Sequence, residues 1–517
     1  MAFRALIGFF HNLLFLGRIS LAYNANVHTP PSPWGPWVIL VPVAGAVGVV
    51  FLVKNFAPEA KGHGVPEVID AVYHRRGVIR PVVSVIKAFA SALSIGSGGS
   101  VGREGPIIQI GASFGSTMGQ WLRLPAWERI TLIAAGAGGG IAATFNTPVG
   151  GVLFAMEIVL HEVSARTLVP VAIATATATY VGRLFFGPHP SFSIPALQAP
   201  AFSVERPGVL LAYAGLGLIA GLVSALFIWS IYRCEEIFEK HVPGGYYGQH
   251  LTGMLLVGVL MYALLLGFGH YYVEGVGYST IQDILSGARQ PLYLLIILFW
   301  AKLLATSLTL GSGASGGVFS PALFLGATSG AAWGIVLNHL IPSLDVSPAA
   351  FAVAGMGAVV GGSTGAAMAA IVMIFEMTLD YRVIISMTLT VALSYGVRRS
   401  LVRDSIYTRK LTLRGETVPA TLRADIPFSR RAGAIMRPRN AEETAAWESV
   451  RGGVPPKGYV IIPEESPLLQ VVARMRNANA STALVTSSRD GETKLRGAIS
   501  RQDIIDHLAD DLDLFAS

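Results

Sequence analysis

The sequence predicts an all-α polytopic membrane protein made of two copies of one unit of tilted and broken helices, with a small soluble α/β module behind them. Three observations carry this prediction. Of 517 residues, 52% are hydrophobic and only 13% are charged, whereas soluble domains run near ~25% charged. A glycine-rich motif, GSGGSVGREGP at 96–106, returns as GSGASGGVFSP at 311–321, an offset of 215 residues. After about residue 410 the long apolar runs stop and a polar composition takes over.

Apolar runs at 36–53, 81–95, 128–160, 208–231, 252–269, 292–310 and 350–375 suit helical spans of about 20 residues. Several are short or rich in glycine, which predicts re-entrant and broken helices whose loose backbone is buried in protein or lines a wet cavity. At the N-terminus Arg4 precedes an apolar stretch, as in a signal peptide. His11, Asn12 and Arg18 interrupt that stretch and no small-residue cleavage site follows, so it reads as a retained amphipathic or first membrane helix. The single Cys234 excludes an intramolecular disulfide and a Cys-rich metal site.

The formal net charge of +7 is no nucleic-acid signature, because much of the basic charge gathers at membrane edges. These are His74, Arg75, Arg76 and Arg80, and then Arg398, Arg399, Arg403, Arg409, Lys410 and Arg414. Positive-inside bias places both edges, and the C-terminus, in the cytoplasm.

The duplication extends well beyond its first motif. GHGVPEVIDAV at 62–72 matches GVGYSTIQDIL at 275–285, offset 213, and sets Asp70 against Asp283. Lys87 matches Lys302 at offset 215. Residues 135–157 match 354–376 at offset 219, which pairs Glu157 with Glu376. Blocks in one order at near-constant spacing mark an internal repeat. The chain divides into a first membrane repeat at 1–204, a second at 205–410, a polar linker at 411–457 and a module at 458–517. In the module, GYVIIP, TALVTS and LRGAIS read as strands. SPLLQVVARMRNAN reads as an amphipathic helix with Ser466 as its N-cap, RDGE as a turn, and RQDIIDHLADDL as a closing helix.

A half-helix that starts inside a membrane presents unpaired N–H groups and the positive end of its dipole. Such a start attracts an anion without a full charge that would hold it too tightly. Three starts are visible, at GHGVP (62–66), GREGP (102–106) and GVFSP (317–321). Each ends in proline, which suits a first helical turn because it lacks an N–H. One such motif alone reads as a device for helix crossing, but a duplicated set of three reads as an anion site built from backbone. Glu104 is the sharpest residue, since an intramembrane acid points to function. Its carboxylate can fill the place meant for an external anion, and protonation removes that competition. The alternative is an ion pair with Arg103.

These residues resemble the CLC family of chloride channels and proton/chloride exchangers. GREGP and GVFSP look like two of its signature motifs, and GHGVP approximates the third. FNTPVGGVLFAME at 145–157 and IFEMT at 374–378 resemble it too. The likeness spans about residues 30–410. It implies two inverted repeats, a homodimer with one pore per subunit, chloride or other anions as cargo, and a bacterial inner (plasma) membrane. By this resemblance Glu104 falls on the external gating glutamate. The loops at His63, Gly64 and Val65, at Gly102 and Arg103, and at Val318 and Phe319 fall on the anion-binding backbone, and Tyr407 on the tyrosine facing the central anion. His63 stands where the family has a serine. Either its imidazole donates to the anion, or it points away and only the amides bind. Ile158 occupies the inner proton position, with Glu157 adjacent, and an isoleucine cannot carry a proton. Either the protein is a passive channel, or protons reach Glu104 through water.

The C-terminal module resembles a CBS domain. GAISRQD at 497–503 fits a pattern in which Ser500 and Asp503 meet the phosphate and ribose of an adenine nucleotide; the alternative is a docking module without ligand. The main expectation is therefore anion transport without a cofactor, gated by Glu104 and passive or weakly proton-coupled. Fully coupled proton/chloride antiport is the alternative, fluoride is a further candidate anion, and a sodium-coupled solute carrier is a further reading. An enzyme is not expected, because the apolar region offers no Ser-His pairing and no metal-spaced His/Asp/Glu cluster.

Overall fold

Lipid offers no hydrogen bonds, so a chain this apolar must satisfy its backbone within helices. A computed structural model describes residues 2–187, 192, 207–287, 290–378, 383–416, 423–424, 432–451, 458–466, 468–489 and 492–506. They fall into two units, Met1–Leu124 with Arg129–Leu422, and Pro125–Glu128 with Arg423–Ser517.

The first half of the membrane unit runs α1 (Ala2–Leu16), α2 (Val41–Phe56), α3 (Val65–Tyr73), α4 (Val82–Gly96), α5 (Glu104–Trp121), α6 (Ala126–Phe145), α7 (Pro148–Phe154) and α8 (Ala165–Phe186). The second half repeats the series as α9 (Pro207–His241), α10 (Gly245–Phe268), α11 (Tyr278–Leu285), α12 (Leu292–Gly311), α13 (Phe319–Leu340), α14 (Pro348–Thr364), α15 (Ala367–Thr378) and α16 (Val383–Leu401), and a short α17 (Thr408–Leu413) follows. The offsets between α3 and α11 (65 to 278), α5 and α13 (104 to 319) and α7 and α15 (148 to 367) reproduce those of the sequence blocks. Among the described residues six helices are long and apolar enough to cross a membrane, and others, such as α4, α14 and α15, are shorter apolar pieces. This mixture is what the glycine-interrupted runs predict.

Close helix contact explains the repeated glycines. A Cβ on Gly111 of α5 would lie 2.1 Å from the Gly136 carbonyl of α6. At the matching place in the second repeat, a Cβ on Gly326 of α13 would lie 2.3 Å from the Gly355 carbonyl of α14. Backbones this close exclude any side chain, the small-residue packing that replaces the hydrophobic effect in lipid. The polar residues that interrupt the first apolar stretch also have structural work. Asn12 Nδ2 donates to the Ser20 and Ala22 carbonyls (2.9 and 2.8 Å). His11 Nε2 meets Thr29 Oγ1 at 3.0 Å and Glu274 Oε1 at 2.9 Å. They tie the following loop onto α1.

The second unit holds α18 (Ala432–Ile435), α19 (Ala441–Arg451), β1 (Tyr459–Pro463), α20 (Leu468–Asn477), β2 (Thr482–Arg489) and β3 (Glu492–Ser500). Strand β2 is central, parallel to β1 and antiparallel to β3. Alternate strand residues point to opposite faces: Ala483, Val485 and Ile499 pack with Leu468, Val471 and Met475 of α20, while Leu484, Leu495 and Ala498 pack with Ala446 and Trp447 of α19. Residues 411–457 read as linker from sequence, yet α18 and α19 lie within them. Helix α19 escaped notice because AEETAAWESVR has a narrow apolar stripe and an otherwise polar surface. A helix covers 501–506; the rest of the expected closing helix and the centre of the RDGE turn lie outside the described residues.

Candidate functional site

The three glycine-rich breaks come together. Gly102 and Gly317 exchange two backbone hydrogen bonds, at 2.7 and 2.6 Å, and Gly62 N–H donates to the Ala314 carbonyl at 2.9 Å. A Cβ on Gly105 would lie 2.3 Å from the His63 carbonyl and 2.9 Å from Gly317 Cα, so the second break touches the other two. Ser315 Oγ donates to the Ala60 carbonyl (2.7 Å) and meets Ser91 Oγ at 2.9 Å, fixing the first break against the third. Gly64 caps α3 at φ +88°, a left-handed conformation that glycine adopts without strain. The starts of α3, α5 and α13 thus converge, with Val65, Glu104, Val318 and Phe319 buried at them.

Glu104 is fully buried. Its side chain folds back over Gly102, where a Cβ would lie 2.2 Å from Glu104 Oε2 and 3.1 Å from the Ser320 backbone nitrogen. The carboxylate therefore sits at the first turn of α13. Its hydrogen-bond donors are hydroxyls: Tyr278 donates to Oε1, and Ser320 donates to Oε2 at 2.6 Å. Sequence reasoning named main-chain N–H groups as its partners and missed both hydroxyls. The signal was present for Tyr278, because the repeat sets it opposite Val65 as the first residue of a fourth helix start, α11. The ion pair with Arg103 is long, Nε to Oε1 3.9 Å, and the guanidinium lies over the Tyr278 ring, 5.3 Å from its centroid.

His63 is 4% exposed and its Nδ1 is buried without a hydrogen-bond partner. Its ring meets Tyr232 edge-on at 6.2 Å, and the Tyr232 hydroxyl donates to the Ile406 carbonyl at 2.7 Å, beside Tyr407. Tyr407 is buried. Thus α9 links the His63 loop to the segment that carries Tyr407. Two duplicated lysines hold the segments that precede α3 and α11. Buried Lys87 donates to the Ala60 and Gly62 carbonyls (3.0 and 2.8 Å), and buried Lys302 donates to Val273 and Gly275 (3.1 and 3.0 Å). Each thereby fixes the segment that leads into a helix start, α3 for Lys87 and α11 for Lys302.

The inner position is apolar. Ile158 is buried in a π-helical turn that extends α7 over Ala155–Leu160. Its neighbour Glu157 is a helix cap. The Glu157 carboxylate accepts N–H groups of Met368 and Ala369 (3.3 and 2.9 Å) at the start of α15, while Glu376 accepts those of Val149 and Gly150 (3.1 and 2.7 Å) at the start of α7. The two repeats cap each other, the arrangement favoured by charge at helix starts. Elsewhere, Asp70, His74 and Glu416 bring possible metal-ligand atoms within 4.8 Å of one another. The Arg75 guanidinium, 2.6 Å from Asp70, already neutralises that carboxylate.

In the second unit, Ser500 and Asp503 form a reciprocal cap on the helix at 501–506. Asp503 Oδ2 accepts the Ser500 N–H (2.7 Å), and the Asp503 N–H reaches Ser500 Oγ (3.1 Å). Arg437 Nε adds a second bond to Oδ2 at 3.0 Å. Burial opposes the charge on Asp503, but the Ser500 amide and Arg437 outweigh it and hold its carboxyl below the ordinary value. Both side chains proposed from sequence to meet a nucleotide are thus engaged within the module.

Comparison with known proteins places the chain in a family. The voltage gated chloride channel family matches residues 44–399, and the CBS domain family matches 451–510. A putative chloride channel protein ClcB-like from Ralstonia nicotianae is 32% identical over 387 residues, 73% of this chain and 86% of its own. The H(+)/Cl(-) exchange transporter ClcA of Yersinia pestis bv. Antiqua is 34% identical over 343 residues, 66% of this chain and 70% of its own. Among solved structures, a slow cyanobacterial Cl−/H+ antiporter superposes with a TM-score of 0.68 at 24% identity, covering 80% of this chain and 93% of that one. A CLC-type fluoride/proton antiporter gives 0.62 at 22% identity, covering 78% and 93%.

Proposed function

Since this chain belongs to the voltage-gated chloride channel (CLC) family and carries a C-terminal CBS module, we propose that it conducts chloride through a pore gated by Glu104, passively or with weak proton coupling. Anion transport by an integral membrane protein is the family's activity, and its members are channels and transporters rather than enzymes. Family membership replaces the sodium-coupled carrier reading.

One observation carries the proposal: the buried Glu104 carboxylate rests on the first turn of α13, between the converging breaks. A chloride ion and a carboxylate compete for the same helix start, because both are drawn by its free N–H groups and dipole. While Glu104 is ionised it occupies the place itself. Once protonated it has no charge, and a halide displaces it, taking the amides at Val318 and Phe319 and those of the His63–Gly64–Val65 loop. The unpartnered His63 Nδ1 supports a direct N–H donor to the anion in the tautomer that carries its proton there. Gly102 and Arg103 shape the outer side, and Tyr407 the inner side.

Buried Ile158 favours the passive reading, since no titratable side chain stands at the inner proton position. The second reading, full proton/chloride antiport with protons reaching Glu104 through water, draws support from relatives named as exchange transporters. The functional unit is taken as a homodimer with a cytoplasmic C-terminus in a bacterial plasma membrane. The CBS module is assigned a structural role without nucleotide, because Ser500 and Asp503 hold each other and Arg437. In liposomes, a chloride gradient should drive little or no uphill proton movement; stoichiometric proton uptake would establish the antiport reading instead.

A further inference from the structure

Glu104, Tyr278 and Ser320 form a closed triangle of oxygen contacts. Tyr278 donates to Glu104 Oε1, Ser320 Oγ lies 2.6 Å from Oε2, and the two hydroxyl oxygens stand 3.2 Å apart. All three residues are buried. The Tyr278 ring is fixed by the Arg103 guanidinium above it and by Phe192 edge-on at 5.1 Å.

The protons in this triangle can be counted. With Glu104 ionised there are two, one on each hydroxyl. Both point at the carboxylate, and the Tyr278–Ser320 edge has none. With Glu104 protonated there are three, and each edge takes one: Glu104 O–H to Tyr278, Tyr278 O–H to Ser320, and Ser320 O–H to the other Glu104 oxygen. The two states differ by rotation of hydroxyls and by one proton, and need no movement of heavy atoms.

Resting on the reading of Glu104 as the gate, we propose that Tyr278 and Ser320 are positioning residues that clasp the Glu104 side chain in both protonation states. Proton loading and gate release are then separate steps. The plug takes up its proton in place, and release follows when a halide competes with the neutral acid. The clasp favours the ionised state more, because hydrogen bonds to a charged acceptor are about twice as strong as neutral ones. The other groups acting on Glu104 are Arg103 at 3.9 Å, Lys302 of α12 and Tyr407 before α17. Arg4 of α1 shares a small cavity with Arg103. All of them remain in the variants below.

The test is anion efflux from proteoliposomes against external pH for the wild type, Tyr278→Phe, Ser320→Ala, Glu104→Gln and the Glu104→Gln/Tyr278→Phe double variant. Tyr278→Phe should raise flux at neutral pH and move the half-maximal pH upward by about one to two units, the worth of one lost bond to a charged group. Ser320→Ala should shift it in the same direction, and reads the same clasp if the tyrosine variant folds poorly. The double variant should match Glu104→Gln alone. Wild-type pH profiles in both hydroxyl variants would overturn the clasp, as would a Tyr278→Phe increase that persists without Glu104. Loss of pH dependence in Glu104→Gln alongside either result would leave the gate standing while the clasp falls. Wild-type pH dependence in Glu104→Gln would remove the gate itself, and the clasp with it.

Discussion

Replacing Glu157 or Glu376 with glutamine keeps the shape of a helix cap and removes its charge. Each carboxylate now accepts two main-chain N–H groups of the opposite repeat, at 3.3 and 2.9 Å for Glu157 and at 3.1 and 2.7 Å for Glu376. A glutamine retains one acceptor oxygen and turns an NH2 group toward the other N–H. One charge-assisted bond is lost, worth about 1.5–3 kcal/mol, together with the attraction between the charge and the helix start. Each variant should therefore lower stability by about 2 kcal/mol, more than tenfold in the folded-to-unfolded ratio. The shorter contacts of Glu376 should make its loss the larger. Thermal unfolding in detergent, followed by tryptophan fluorescence, reads this directly, and proteoliposome flux measured beside it reads function. The capping role predicts lower midpoints with anion selectivity and any proton movement unchanged. If Glu157→Gln unfolded like the wild type but changed proton movement, Glu157 would be a proton carrier and its assignment as a cap would be refuted.

Lys302→Met should destabilise the membrane unit by about 1–3 kcal/mol for each buried carbonyl it orphans, at Val273 and Gly275. Unchanged unfolding would contradict that role. In the CBS module, Ser500→Ala should cost about 1 kcal/mol as a lost cap, and millimolar adenine nucleotide should leave wild-type flux unaltered. Because Asp503 titrates lower in the folded state, its stabilisation is complete above the ordinary value of 3.8 and is lost as pH falls through the lower folded value. Arg437→Gln removes the guanidinium from both Asp503 (3.0 Å) and Glu443 (2.6 Å), so it should weaken the module at neutral pH and make little difference in strong acid.

Much of the membrane fold was legible because the duplication is itself a structural statement. Offsets of 213, 215 and 219 recur as the spacings between helix starts, and the three glycine-rich breaks read from sequence proved to be helix starts that meet. The Glu104 environment was only half legible. A buried acid at a helix start predicts donors, but the sequence does not say whether these are amides or side chains arriving from 174 and 216 residues away. Tyr278 had a clue in its alignment with Val65, whereas Ser320 lay inside a recognised motif whose proline and glycine drew the attention. Glu157 and Glu376 were visible as a pair, yet their exchange of caps depends on the mutual packing of α7 and α15, which no local pattern reveals. In the second unit, α19 was missed because only Ala446 and Trp447 mark its buried stripe.

The central claim is that one carboxylate closes the anion path, and chloride efflux from Glu104→Gln proteoliposomes across external pH 4–8 tests it most directly. A neutral side chain at this position should leave flux high at every pH, with the acid activation of the wild type gone. Efflux that stayed low at neutral pH and rose on acidification to the same extent in the variant and the wild type would mean that another group closes the pore.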